Sequence, residues 1–153
     1  MSTDVTLQTG FAINTNIRDK LTTLEQTMLN GIADGSLEEQ EVPLEEYSSD
    51  GCYARMIFIK KDTALVGAIH TDEWINIVSR GKIRIVTEDG TRIIDATERP
   101  QVFISPAGVK RAGFVLEDTW WMSFRASDAT DDESARRKHT VSDYGELQLE
   151  VTK

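Results

Sequence analysis

The chain has 153 residues, 39% of them hydrophobic and 28% charged, which is room for one domain with a buried core and excludes wholesale disorder. A formal net charge of −9 makes the surface repel nucleic-acid phosphates and anionic lipid, so neither nucleic acid nor a membrane is an expected partner. The single cysteine, Cys52, excludes an intramolecular disulfide.

Residues 1–13 are polar and irregular, without the basic region and apolar stretch of an export signal, and the expected location is the cytoplasm. Residues 14–35 then place Ile17, Leu21, Leu24, Met28 and Ile32 at helical spacing, with Asn14 or Thr15 as cap and Gly35 as stop. This predicts one amphipathic helix. The following SLEEQEVPLEEYSSDG carries six acids and no base, and Pro43 argues against further helix, so a solvated connector and an edge strand are expected.

From Cys52 to Arg125 the period changes to short apolar or alternating runs: CYARMIFI, LVGAI, WINIVSRG, KIRIVTEDG, TRIIDA, QVFISPAG, RAGFVLED and TWWMSFRA. Turn signals at Ser79–Gly81 and Glu88–Gly90 mark hairpins. The pattern predicts a mainly β fold, an antiparallel barrel or jelly roll over residues 36–126, with Cys52 as a small buried hydrophobe. Residues 127–153 read as a short helix, ESARRKH, and a polar tail. There is no P-loop, dinucleotide glycine fingerprint, GxSxG elbow or pair of zinc cysteines.

The run WINIVSRGKIRIVTEDG at Trp74–Gly90, followed by QVFISPAGVKRAGF at Gln101–Phe114, resembles the two-part signature of the cupin superfamily. The phrases LEQTML, DGCYAR, SPAGVKRAGF and LEDTWW are similar to those of small cupin-like proteins often found in tailed-bacteriophage genomes, over residues from about 20 to 125. What the resemblance implies is architecture more than activity. The metal-binding cupin pattern, HxHxxxE with a glycine after six residues and then PxGxxH, falls on Ala68, His70, Trp74 and Arg111 when its glycine is Gly81. One position of four keeps a ligand type, so most metal-ligand positions read as lost and neither a metal nor another cofactor is expected.

In their place stand Arg111 and Arg125, whose guanidinium forks suit carboxylate or phosphate, and Trp74 and Trp121, which offer flat faces. With His70 and Glu73 they make the expected ligand-binding set for a small anion, a nucleotide among the candidates. No catalytic residue is assigned. Strand alternation turns Lys110 away from Arg111 and points one of Trp120 and Trp121 outward, where it would anchor an interface, and a homodimer is the expected assembly. His70 is expected to hydrogen-bond a neighbouring carboxylate. Two alternatives remain: a virion structural or assembly protein that uses the barrel as a packing module among virion subunits, and a metal-dependent cupin enzyme by superfamily analogy.

Overall fold

The computed structural model describes residues 15–141; the expected flexible N-terminus, Asn14 and the polar tail beyond Val141 lie outside the described residues. Helix α1 (Thr15–Asp34) runs where the apolar spacing places it. It stops because Gly35 takes a φ of +82°, which a residue with a Cβ rarely adopts. Leu21 is its most deeply buried side chain, while Leu24 and Leu29 stay open to solvent. Ion pairs Arg18–Glu88 and Lys110–Glu25 fix the helix to the sheet.

The strands are β1 (Leu44–Ser49), β2 (Cys52–Ile59), β3 (Ala64–Val66), β4 (Ile69–His70), β5 (Trp74–Thr87), β6 (Gly90–Asp95), β7 (Gln101–Ser105) and β8 (Ala112–Ala126); helix α2 (Asp132–His139) and β9 (Thr140–Val141) follow. Every pairing is antiparallel. The main sheet runs β1-β2-β8-β5-β6, with β3 also on β8 and β7 also on β5, and β4 and β9 form a separate pair.

The structure corrects the hairpin expected at Ser79–Gly81. The chain passes through as one strand, β5, and bulges between Val78 and Ile83 bend it. Gly81 sits at the crease with a φ of +108°, and a Cβ there would overlap the Asp118 carbonyl oxygen and the Thr119 side chain. The runs RAGFVLED and TWWMSFRA likewise join into one strand, β8. Two long bent strands therefore serve two half-sheets. One half is β1, β2, the end of β8, the start of β5 and β7; the other is β3, the start of β8, the end of β5 and β6.

The halves face each other across one core of Ile59, Val78, Ile83, Ile85, Ile94, Ala96, Val115 and Trp121, which draws on both. Each isoleucine or valine of this set contributes about 1.5–3 kcal/mol on full burial. Among the described residues the strand pairing does not close into a ring, so the expected closed barrel becomes a folded antiparallel sheet. Its open edge β1 has all six side chains exposed and carries Glu45 and Glu46, charges that blunt an edge against further pairing. Cys52 is exposed rather than buried, because strand parity gives the inward position to Tyr53. No helix among the described residues is long and apolar enough to cross a membrane.

Candidate functional site

A cavity of about 390 Å³ opens between the half-sheets, with α2 along one side, and His70, Trp74, Arg111 and Trp121 all line it. Strand parity explains the convergence: Trp74, Asn76 and Val78 alternate inward on β5, as Thr119, Trp121 and Ser123 do on β8. Asn76 is the hub of the polar wall. Its amide donates to Ser105 Oγ at 2.7 Å and to the Trp74 carbonyl at 3.3 Å. Its oxygen accepts from Trp121 Nε1 and from Ser123 Oγ, each at 3.0 Å. Ser105 in turn accepts from Arg111 Nη2, so the guanidinium is held by a buried network in which every Asn76 group is satisfied.

Arg111 has Trp121 and Phe103 rings beside it, at 5.5 and 5.7 Å from their centroids, and among the described residues no carboxylate pairs with it. Burial, with Arg92 and Arg55 nearby, lowers its pKa to about 10, which leaves it charged at neutral pH. Arg55 also lines the cavity and pairs with Asp132 through Nη1 at 3.0 Å, but among the described residues its buried Nε has no hydrogen-bond partner. Trp74 Nε1 and Tyr53 Oη likewise have no partner among the described residues. His70 is held neutral: burial, then the charges of Arg55, Arg111 and Arg125, lower its pKa to about 3.

The remaining expected site residues lie elsewhere. Glu73 is exposed and does not border the cavity. The Arg125 side chain is 8% exposed, yet it is spent on an ion pair with Asp72 at 2.8 Å and lies over the Trp74 ring at 5.3 Å. Trp74 therefore offers little free face, since the His70 ring also packs on it at 5.1 Å. His70 meets that ring and, among the described residues, no carboxylate, so the carboxylate bond expected of it is not seen there. Lys110, expected to point outward, is buried and paired with Glu25, because β8 begins only at Ala112 and strand alternation does not reach it.

The carboxylate partner goes to the other histidine. His139 Nδ1 lies 3.0 Å from Asp72 Oδ2 and its Nε2 lies 2.8 Å from Ser127 Oγ. The connectivity is that of an acid–base–hydroxyl relay, but none of the three borders the cavity, Ser127 Oγ also accepts from Ala129 N, and Asp72 Oδ2 is shared with Arg125. The cluster ties α2 to the sheet. Burial raises the Asp72 pKa, and hydrogen bonds from Arg125, His139 and Thr71 outweigh it, holding the carboxyl below its ordinary value. His139 is lowered by burial and by Arg125, against the opposing pull of Asp72.

The residues present do not fit the metal that the cupin pattern implies. Ala68 and Trp74 offer no ligand atom, Arg111 is a cation, and among the described residues no three of His, Cys, Asp and Glu converge to hold an ion.

No family model matches the sequence, and no curated protein matches it. Solved structures similar to this chain include cupin proteins. One is a cupin superfamily protein from Desulfitobacterium hafniense, 14% identical, covering 60% of this chain and 83% of that one with a TM-score of 0.48. Another is a cupin-2 domain containing protein from Shewanella frigidimarina, 16% identical over 66% of this chain and 97% of that one, TM-score 0.46. A third, from Streptococcus pyogenes, is a conserved protein of unknown function, 12% identical over 60% of this chain and 79% of that one, TM-score 0.47. Likeness at this level assigns neither a ligand nor a reaction.

Proposed function

We propose that this is a non-catalytic, cupin-like binding protein that holds a small organic anion, a carboxylate foremost, in the cavity between Arg111 and Arg55. The observation that carries the reading is the cation of Arg111, held in place by Ser105, unmatched by any described carboxylate, and lining the cavity together with Arg55. A buried cation without a counter-charge costs free energy, and an anion supplies that charge and acceptors for the guanidinium. Trp121 and Ser123 are held by Asn76 and shape the wall. A compact anion suits the site better than a nucleotide, because His70, Arg125 and Arg111 already pack on the two tryptophan rings. A source in a tailed-phage genome, with capture of a host metabolite as the use, belongs to the same reading and rests on the sequence resemblance.

The test is native mass spectrometry of the full chain purified at low salt, followed by denaturing extraction. One small organic acid per chain is the expected result. A stoichiometric divalent metal, or a carried ligand that survives Arg111→Ala at full occupancy, would count against it.

A further inference from the structure

The side chains that β5 and β8 turn away from the core differ between the two half-sheets. Beyond Gly81 the outward positions mix charge with apolar side chains: Lys82 stands opposite Glu117 and pairs with Asp95 at 3.6 Å, and the exposed Arg84 sits between Ile93 and Phe114. Along Trp74–Val78 and the strands paired with it, they are apolar across four strands. Register aligns Ala54, Phe124, Ile75 and Ile104 in one row and Met56, Met122, Ile77 and Val102 in the next. Phe58 and Trp120 extend the surface, with ring centroids 4.7 Å apart. Val102 is 64% exposed, Ile104 60% and Ile75 50%. Strand propensity does not explain this, because the same two strands accept charge on their other halves.

We propose that this face is the two-fold interface of a homodimer, in which a second copy of the chain packs sheet against sheet. The described helices that could have covered it are committed elsewhere, α1 to β3, Glu88 and Lys110, and α2 to Asp72 and Arg55 beside the cavity. A patch carried by every copy is self-complementary under a two-fold axis. Val102, Ile104, Ile75 and Trp120 stand exposed together on it, a contiguous apolar surface of the kind that marks an interaction site. The rim carries both signs, Glu45 beside Met56 on β1 and Arg80 beside Trp120, so copies that each bear a net charge of −9 meet where charge is absent or balanced. The face lies on the opposite side of the sheet from the cavity, so this assignment stands independently of the ligand.

Sedimentation velocity on the full chain at about 50 µM and physiological ionic strength reads the assembly, since standard interfaces hold at micromolar concentrations or tighter. The expected mass is that of two chains. Val102→Glu combined with Ile104→Glu, both at well-exposed positions, should weaken association at least a hundredfold with unchanged far-ultraviolet circular dichroism, while Arg84→Glu on the charged half should leave the dimer intact. Hydrogen exchange gives a readout that needs no variant: residues 101–105 and 120–124 should exchange more slowly above the association midpoint than below it. A monomeric wild type, a dimer that survives the double substitution, or one lost equally with Arg84→Glu would overturn the proposal. A monomer that dimerises only after removal of residues 142–153 would give the face to the chain's own tail and overturn it as well.

Discussion

At the scale of single residues, the cavity depends on a few side chains with unequal roles. In the proposed binding mode Arg111 makes a charge-assisted contact to the anion, and such contacts contribute about 1.5–3 kcal/mol, so Arg111→Ala should weaken binding roughly 10- to 150-fold, measured by isothermal titration with whichever anion binds the wild type. Asn76 acts through its neighbours: Asn76→Leu strands Ser105, Ser123 and Trp121 Nε1, and should cost stability as well as affinity. His70 makes a prediction in pH. Its folded pKa of about 3 lies below the ordinary 6.5, so the unfolded chain binds the proton more readily and stability falls as pH drops from 6.5 toward 3. The slope is about 1.4 kcal/mol per pH unit for one such group, with His139, also lowered, adding in the same direction. Urea midpoints between pH 6.5 and 4.5 should fall in the wild type and fall less in His70→Gln; parallel curves would refute the assignment. His70, Trp74, Arg111 and Trp121 were legible as cavity residues from strand parity and the superfamily spacing. Arg55, Asn76 and Ser123 obeyed the same parity and could have been found by it, since each sits two positions from an aromatic that points inward. The Asp72–His139 pair was not legible, because its partners are 67 residues apart and only the folded chain joins them.

At the scale of elements, period and turn chemistry identified the strands but not where two of them fuse. A glycine between two apolar runs reads as a hairpin, and only the approach of Asp118 and Thr119 to Gly81 makes it a crease within one strand. Gly81→Ala therefore combines a positive-φ penalty with a backbone clash and should lower stability by more than about 2 kcal/mol in urea unfolding; a change under about 0.5 kcal/mol would contradict the crease. Helix α2 is the element most dependent on local chemistry. It has only eight residues, a capping box between Asp131 and Ser134, acids in its first turn and bases in its last. Asp131→Ala removes the cap, worth about 1 kcal/mol, and Asp72→Asn removes the charge opposite His139 and Arg125. Either change should speed hydrogen exchange across residues 132–141 while leaving β5 and β8 protected. Uniform acceleration would show that α2 unfolds only with the whole domain.

At the scale of the whole molecule, a chain of net charge −9 concentrates cations inside and beside one cavity, with Arg55, Arg111 and Arg136 on its lining against Glu25 and Asp132. Glu25 is already answered by Lys110, and Asp132 by Arg55 and Arg136, which leaves Arg111 as the cation of the lining without a carboxylate among the described residues. This balance supports the binding proposal more than any single contact does, and it was only half visible beforehand, because a −9 total conceals where the positive charges gather. The most direct test is thermal unfolding of the wild type and Arg111→Ala against a panel of small carboxylates, phosphate monoesters and nucleoside monophosphates. A ligand present at a hundred times its Kd stabilises the folded chain by about 2.7 kcal/mol, and for a chain of this size that raises Tm by roughly 5–10 °C. The account predicts such a rise for at least one compact carboxylate or phosphate in the wild type and its loss in Arg111→Ala. No shift across the panel, or equal shifts in both proteins, would contradict it.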